Sequence, residues 1–316
     1  MRIGTRRSAL ALTQAKLIAE QLRAGGHANC EIVPMLTSGD REPLPGGPGE
    51  GADASDKSRW VSELEQALSA GEIDLAVHSA KDVPGELAGG LALLGAPRRA
   101  GAEDVLCGAE GLAELPPGAR VGTSSIRRLA QLLAAREDLD VVAIRGNVDT
   151  RLRKLAASSS EGDRGEGLAA IVLARAGLQR LEREAEIGGV LDPARFVPAP
   201  GQGIIALEGR TEDAPVHEAV KAIADEEAFA CLLAERALAR KLDASCHTPL
   251  GAYAVPADDN CLLLRAWVGL PDGSAWVSDE LLGGFSDPEA LGRRVAERLL
   301  AVGAGEMLAR AQEMAT

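Results

Sequence analysis

Short apolar runs alternate with amphipathic segments along the first part of the chain. Residues 2–5, 31–36 and 73–78 are predicted strands, because each is a short apolar run with turn-forming or polar neighbours. Ser8 can cap a helix that extends to Arg23, where two glycines follow within three residues. The run at 73–78 has almost no polar side chain after its aspartate, which is typical of a buried parallel sheet. The pattern therefore predicts an α/β domain.

The alternation continues and then changes near the C-terminal end. A helix is predicted at about 60–70, and a second α/β stretch begins near Ala100. Further strands are predicted at 119–122, 139–144, 169–174 and 204–207, with a short helix at 177–182. The last part is predicted to contain helices at 216–224, 226–241 and 288–300 and strands at 262–268 and 275–282. This order indicates two α/β domains and a smaller α+β domain.

Two segments are too polar or too rich in turn-forming residues for regular structure. Residues 40–58 contain many prolines and glycines and have no apolar face, so we interpret them as a disordered loop or a lid. The stretch 158–167 is rich in serine, glycine and charge, and we expect a mobile surface loop there.

Composition narrows the class of protein. The 316 residues exceed the usual size of one core, and 46% are apolar, enough for two or three domains. Only 2% are aromatic and the net charge is −13, which argues against stacking on bases and against nucleic-acid binding. The five cysteines are scattered without metal or disulfide spacing, so no metal site is expected. Early polar interruptions of the N-terminal apolar run and the lack of a long apolar stretch favour a cytoplasmic protein.

One segment opposes the acidic charge of the chain. Between residues 120 and 154, eight basic residues face four acidic ones. They concentrate in G-T-S-S-I-R-R at 122–128 and R-G-N-V-D-T-R-L at 145–152, each between a predicted strand and a helical stretch. Such junctions combine guanidinium groups with the backbone N–H groups of a helix start, where carboxylate or phosphate is stabilised. The alternative is that the arginine pairs are solvated surface charges.

Further motifs, in order along the chain, accompany these junctions. They are T-R-R-S at 5–8, V-H-S-A-K-D-V-P at 77–84, L-A-R-A-G-L at 173–178, P-G-Q-G at 200–203 and A-S-C-H-T-P-L-G at 244–251. Together the motifs resemble those of the hydroxymethylbilane synthase family, also called porphobilinogen deaminases, over essentially the whole length.

The resemblance implies a transferase of porphyrin and haem biosynthesis. Such an enzyme joins four porphobilinogen molecules head to tail, loses ammonia each time and releases 1-hydroxymethylbilane for uroporphyrinogen-III synthase. It also implies a dipyrromethane cofactor bound by a thioether to Cys246, a monomer, and two lobes like those of periplasmic binding proteins. Accordingly we expect domain 1 at 1–96 and 197–214, domain 2 at 97–196, and an α+β domain 3 at 215–316.

The site residues that the resemblance implies fall into three groups. Asp82 is the expected catalytic residue. The expected cofactor-binding residues are Cys246, Lys81, Asp82, Thr123, Ser124, Ser125, Arg127, Arg128 and Arg145. The expected substrate-binding residues are Arg6, Ser8, Lys57, Arg145, Arg151 and Arg180.

These residue types suit the chemistry. Each pyrrole carries an acetate and a propionate, and a guanidinium stays charged and binds a carboxylate through two hydrogen bonds. Loss of ammonia leaves a methylenepyrrolenine cation, which the Asp82 carboxylate can stabilise while accepting the pyrrole N–H. The alternatives are an Asp82 that caps the turn before Pro84 and a Cys246 that is a buried small hydrophobe. A catalytic dyad of His78 or His247 with Cys246 is conceivable, but the sequence favours a structural role for both histidines, because it places no third orienting group beside them.

Some positions depart from the family pattern, and two other protein classes share parts of it. Lys57 matches a family lysine, but its flanking glycines are absent, Asp53 replaces an upstream basic residue, and Ser245 stands where glycine is usual. A two-lobed solute-binding protein would share the arginines and the lobes. A cysteine-dependent hydrolase would use Cys246 as a nucleophile.

Overall fold

The computed structural model describes residues 1–35, 58–160, 167–244 and 248–315. The predicted lid at 40–58, apart from the first residue of a helix, therefore lies outside the described residues, as do Lys57 and Cys246. The chain forms two compact units, which we call unit 1 (Met1–Arg99 and Ile204–Phe229) and unit 2 (Ala100–Gly203 and Ala230–Thr316).

Strands and helices alternate through most of the chain. Up to residue 160 the elements are β1 (Arg2–Arg6), α1 (Ala9–Ala24), β2 (Glu31–Met35), α2 (Ser58–Ser69), β3 (Leu75–Ser79), β4 (Leu91–Gly95), β5 (Asp104–Cys107), β6 (Arg120–Gly122), α3 (Ile126–Ala135), β7 (Asp140–Val142) and α4 (Val148–Ser160). They continue with β8 (Ala170–Ala174), α5 (Arg175–Arg180), β9 (Gly189–Val190), β10 (Ile205–Arg210), α6 (Ala214–Lys221), α7 (Glu226–Lys241), β11 (Leu250–Ala257), β12 (Cys261–Gly269), β13 (Trp276–Gly284), α8 (Pro288–Ala301) and α9 (Ala304–Ala315).

The two units contain five-stranded sheets with the same pattern of pairing. In unit 1 the order is β2-β1-β3-β10-β4, with β1 parallel to β2 and β3, and β10 antiparallel to β3 and β4. In unit 2 the order is β7-β6-β8-β5-β9, with β6 parallel to β7 and β8, and β5 antiparallel to β8 and β9. A third, antiparallel sheet, β11-β12-β13, packs with α7, α8 and α9. The expected fold class, two α/β lobes and a smaller α+β part, is confirmed.

Local sequence signals explain the first helix and its packing. The Ser8 Oγ accepts a hydrogen bond from the Ala11 N–H at 3.3 Å, which satisfies one of the free donors at the start of α1. Gly25 follows the last helical residue, as predicted. The apolar face of α1, including Ile18 and Leu22, packs on Ile3 of β1, and burial of this face stabilises the lobe.

Helix α6 lies in a different part of the molecule from the one expected. The sequence places residues from 215 onwards in domain 3, but Val216, Ala219 and Val220 are buried in the same core as Ile18 and Leu22 of unit 1. The apolar face of α6 is therefore covered by the first sheet and α1. The division into three domains otherwise stays a prediction.

Other elements differ from the sequence expectations in extent. Helix α4 continues through Ser160, so 158–160 are helical and are not part of a loop, and the strand expected at 139–144 is shorter. Strands β4, β5, β9 and β11 and helix α9 were not predicted. Among the described residues, no helix is long and apolar enough to cross a membrane, and the cytoplasmic location stays a prediction. In the same part of the chain no cluster of His, Cys, Asp or Glu could hold a metal ion.

The positive φ of Gly203 in unit 2 can be tested by substitution. Its φ is +87°, and an added Cβ would lie 2.7 Å from the Ala100 carbonyl oxygen. We expect Gly203→Ala to lower the free energy of unfolding by more than about 1 kcal/mol, because the left-handed conformation alone costs about 1–2 kcal/mol for an L-residue.

The matched control is Gly89→Ala. An added Cβ at Gly89 meets no atom within 4 Å, and its φ is outside the positive range. Chemical denaturation should show little change, or a slight stabilisation, for this variant. Equal effects of the two substitutions would contradict the strain assigned to Gly203.

Candidate active site

A pocket of unit 1 brings together three of the residues singled out in the sequence. Strands β1 and β3 are parallel neighbours, so their carboxyl ends lie at the same edge of the sheet. Arg6 and Ser8 lie at one of these ends, and Asp82 follows the other. All three line one pocket, whose wall also includes Gln14, His78 and Ser79.

The chain segment that carries Asp82 is anchored by backbone hydrogen bonds. Residues Ala80–Asp82 form a 3₁₀ turn directly after β3, and the Val83 N–H donates to the Ala80 carbonyl at 3.2 Å. The Ala80 N–H donates to the Ile204 carbonyl at 3.0 Å, which ties the turn to the segment leading into β10. Lys81 and Asp82 are both half-buried. Asp82 is thus presented to the pocket from a fixed turn.

His78 is packed against a buried carboxylate of the neighbouring strand. Its Nε2 lies 2.8 Å from the Glu208 Oε2, and both side chains are almost completely buried. The adjacent Ser79 hydroxyl lies 3.0 Å from the Gln14 Nε2, which donates to it. This arrangement supports the structural role that the sequence favoured for His78.

In unit 2 the hydroxyl residues fasten the turn between β6 and α3. The Thr123 Oγ1 accepts a hydrogen bond from the Ser125 N–H at 3.2 Å, and the Ser124 hydroxyl donates to the Ile144 carbonyl at 2.7 Å. Ser125 is the N-cap of α3 and accepts from the Arg128 N–H. Because Ile144 follows β7, these contacts hold the ends of two parallel strands side by side.

Arg127 and Arg128 are not surface charges, because they converge on a carboxylate that the sequence motifs do not include. The Asp104 Oδ2 lies 2.7 Å from the Arg127 Nη1, and the Oδ1 lies 2.7 Å from the Arg128 Nη2. The Gln202 Nε2 donates to the same Oδ1 at 2.9 Å. Asp104 is fully buried, and Arg127 and Arg128 are 4% and 6% exposed. The alternative that these arginines are solvated is wrong.

The charges of this cluster decide the state of its carboxyl group. Burial alone would raise the pKa of Asp104, but the two guanidinium groups outweigh this effect and hold the pKa well below its usual range. Burial lowers the pKa of Arg127, and the charge of Arg128 acts in the same direction. Two cations therefore share one anion, and one positive charge is left in excess.

Three further arginines of unit 2 differ in their surroundings. The Arg180 Nη2 donates to the Gly203 carbonyl at 2.7 Å, and burial lowers the pKa of Arg180 to about 10. The Arg151 Nε donates to the Gly146 carbonyl at 2.8 Å, and burial, with the charge of Arg128, lowers the pKa of Arg151. Arg145 is exposed just after β7. Over the described ranges, no carboxylate lies within 4.0 Å of any of the three.

Comparison with known proteins identifies the family of this chain. Residues 1–218 match the family model of the porphobilinogen deaminase dipyromethane cofactor binding domain, and residues 229–301 match that of the porphobilinogen deaminase C-terminal domain. The chain belongs to the porphobilinogen deaminase family. It is a transferase with hydroxymethylbilane synthase activity that polymerises porphobilinogen in tetrapyrrole biosynthesis and uses a dipyrromethane cofactor, as the resemblance implied.

Relatives match over nearly the full length of the chain. The porphobilinogen deaminase of Rubrobacter xylanophilus is 46% identical over 97% of this chain and 95% of its own. That of Brevibacillus brevis is 41% identical over 98% of this chain and 96% of its own. Among solved structures, the periplasmic aliphatic sulphonate binding protein SsuA from Escherichia coli covers 96% of this chain and 87% of its own, at 12% identity and a TM-score of 0.42. The family membership decides against a solute-binding protein and a cysteine-dependent hydrolase.

The depressed pKa of Asp104 predicts how stability depends on pH. The carboxyl group stays ionised in the folded chain at a pH where the same group in the unfolded chain, with the ordinary aspartate pKa of 3.8, is protonated. Its contribution is therefore fully present above about pH 5 and declines as the pH falls through 3.8 towards the lower folded value. We expect Asp104→Asn to cost about 3–5 kcal/mol at pH 7, and the difference from wild type to shrink below about pH 4.

Denaturant unfolding of both proteins at pH 7, 5 and 3.5 measures this difference. Asp140→Asn is the control, because Asp140 pairs with Arg120 at 3.0 Å on the surface and should cost no more than about 1 kcal/mol. A difference that stays constant from pH 7 to 3.5 would show that the ionised Asp104 is not the source of the stability.

Proposed function

We propose that Asp82 is the catalytic carboxylate of this enzyme and that the pocket around it receives the reacting pyrrole. The observation that carries this assignment is the common pocket of Asp82, Arg6 and Ser8. A carboxylate, a guanidinium and a hydroxyl there match the positive charge, the acidic side chains and the N–H group of porphobilinogen.

The role of Asp82 follows from the charge that develops in the substrate. When the C–N bond of the protonated aminomethyl group breaks, its electron pair leaves with neutral ammonia, and the positive charge spreads over the pyrrole. The Asp82 carboxylate stabilises this cation and accepts the pyrrole N–H. The same group takes up the proton that is lost when the next ring carbon forms the C–C bond. The anchored 3₁₀ turn keeps the carboxylate in place during both steps.

The dipyrromethane fits the cations of unit 2. When bound, it supplies the pyrrole carbon to which the first substrate molecule is joined. We assign its thioether attachment to Cys246, and the binding of its carboxylates to residues with cationic or hydrogen-bonding side chains. These are Lys81, Thr123, Ser124, Ser125, Arg127, Arg128 and Arg145. The positive charge in excess of Asp104 and the buried Arg127 Nε, which has no hydrogen-bond partner in the described part of the chain, support this fit.

The incoming substrate is assigned to a second set of residues. Arg151 and Arg180 are half-buried, and burial lowers the pKa of both, so a bound acetate or propionate would compensate the cost of their desolvation. Arg6 and Ser8 are assigned to porphobilinogen in the pocket of Asp82. Lys57 and Arg145 complete the set.

The product defines the next reaction. 1-Hydroxymethylbilane is an open chain with a terminal hydroxymethyl group, and a macrocycle forms from it when the ring is closed with loss of water. We therefore propose that it passes to uroporphyrinogen-III synthase. We also propose that the chain acts as a monomer.

Two substitutions at Asp82 test its role. Asp82→Asn keeps the shape and deletes the charge, and we expect turnover to fall at least about 100-fold with little change in KM, because the lost interaction is stronger in the transition state. Asp82→Glu keeps the charge but displaces it, so it should retain a small fraction of the activity. Single-turnover ammonia release measures both.

The control is an aspartate of unit 1 that only caps a helix. The Asp225 Oδ1 accepts from the Ala228 N–H at 2.8 Å, and Asp225→Asn should be silent, since asparagine caps as well as aspartate. If Asp82 only capped the turn, Asp82→Asn would be equally silent and Asp82→Glu the worse variant. Near-normal ammonia release by Asp82→Asn would remove Asp82 from the mechanism.

Intact mass tests the attachment residue. We expect the purified protein to be heavier than its chain by one dipyrromethane, and Cys246→Ser to lack this addition. Cys261→Ser is the control, because Cys261 is a half-buried cysteine at the start of β12. An active wild-type preparation with the mass of the bare chain would refute the assignment, as would loss of the adduct in Cys261→Ser alone.

A further inference from the structure

Asp104 has contacts that go beyond holding a strand in place. It is the first residue of β5, which pairs with β8 and β9 inside the sheet of unit 2. The Leu191 N–H donates to its carbonyl at 2.9 Å, so the backbone is fixed independently of the side chain. The carboxylate is therefore available to orient other groups.

Each arginine of the cluster is held at more than one point. The Arg128 Nε donates to the Asp104 Oδ1 at 2.9 Å, and the Arg128 Nη1 donates to the Val172 carbonyl at 2.9 Å. The Arg127 Nη1 lies 2.7 Å from the Asp104 Oδ2 and donates to the Val197 carbonyl at 2.8 Å. A guanidinium is planar, so two such contacts fix its orientation as well as its position.

We propose that Asp104 is a positioning residue for cofactor binding, which fixes the guanidinium groups of Arg127 and Arg128 in the orientation that accepts the carboxylates of the dipyrromethane. This inference rests on the proposed role of the two arginines as cofactor ligands. A site whose ligands are fixed before binding does not spend binding free energy on ordering flexible side chains.

The net charge of the cluster distinguishes a positioning role of Asp104 from an effect of its negative charge alone. Two arginines and one aspartate carry a net +1, and Asp104→Asn raises it to +2. If the carboxylate only weakened the positive field, its removal would strengthen the attraction for an acidic cofactor. If it positions the arginines, the same substitution weakens binding although the positive charge increases. The two explanations therefore predict opposite signs.

The experiment measures cofactor loading directly. Cofactor-free chains of wild type and Asp104→Asn are incubated with porphobilinogen, and intact mass follows the appearance of the dipyrromethane adduct. We expect loading of Asp104→Asn to be slower by about 10- to 100-fold, the size of effect that small misplacements of binding groups produce. KM and kcat of the loaded fraction are recorded beside it. Faster loading, or loading at the wild-type rate, would overturn the proposal.

Two matched variants exclude trivial causes. Asp138→Asn makes the same change of charge in the same unit, at a surface pair in which Asp138 lies 2.7 Å from Arg136. Val105→Ala removes buried volume from β5 next to Asp104 without touching an arginine. Both should load like wild type below their unfolding temperature. Equal slowing in Val105→Ala at matched stability would reduce the role of Asp104 to stability and overturn the proposal.

Two further variants cover the case in which Asp104→Asn does not fold and the case in which the arginines do not bind the cofactor. Should Asp104→Asn not fold, Asp104→Glu retains the charge and displaces it by a methylene, and wild-type loading by the folded Glu variant would also overturn the proposal. Arg128→Gln tests the cofactor role of the arginines, on which the proposal for Asp104 rests. Normal loading of Arg128→Gln would refute the cofactor role of the arginines, whereas failure of Arg128→Gln beside normal loading of Asp104→Asn would refute the positioning role alone.

Discussion

The buried carboxylate of Asp104 sets the net charge and the position of the Arg127 and Arg128 guanidinium groups in unit 2. Two guanidinium groups that face each other without an anion would repel and would each bear the full cost of desolvation. The negative charge of Asp104 compensates one of the two positive charges, and its two oxygens orient both guanidinium groups. Gln202 donates a further hydrogen bond to the same carboxylate. The result is a fixed site of net positive charge inside a chain whose overall charge is −13.

The two five-stranded sheets carry polar and charged side chains at corresponding strand ends. In unit 1, Arg6, Ser8 and Asp82 lie at or just beyond the carboxyl ends of β1 and β3, which are parallel neighbours. In unit 2 the hydroxyl and arginine residues follow the ends of β6 and β7, which are also parallel neighbours. Each sheet contains one antiparallel inner strand, β10 or β5, and that strand supplies a buried carboxylate beside a basic side chain: Glu208 beside His78, and Asp104 beside the arginines. The same architecture thus places polar and charged side chains at the corresponding edge of each sheet.

Much of the fold could be predicted because its signals are local. The Ser8 cap, the apolar run of β3 and the bounds of α7 are encoded within a few residues, and the structure confirms them. Strand β5 has only four residues and begins with an aspartate, so it lacks the apolar length that marks a strand. The partners of Asp104 lie 24 and 98 residues away, at Arg128 and Gln202, and no local pattern encodes such a contact.

Other parts of the site depend on tertiary packing in the same way. The sequence of α6 shows an apolar face but not the core that covers it, and in the structure that face packs with α1 and the first sheet. The strand-to-helix placement of Arg127 and Arg128 is visible in the sequence, yet their burial follows from a carboxylate that the sequence does not indicate. Charged groups inside a protein are explained by their partners, and partners distant in sequence are not revealed by motif spacing.

Burial also explains why these positions carry arginine. The pKa of Arg180 falls to about 10 in its desolvated surroundings, and the group still keeps its proton at neutral pH. A lysine starts at about 10.4, so the same surroundings would bring its pKa much closer to neutrality and weaken its charge. A half-buried position that must carry a positive charge at neutral pH therefore favours the more basic side chain. The planar guanidinium can in addition donate to a backbone carbonyl, as Arg180 does to Gly203, and keep other N–H groups for a carboxylate.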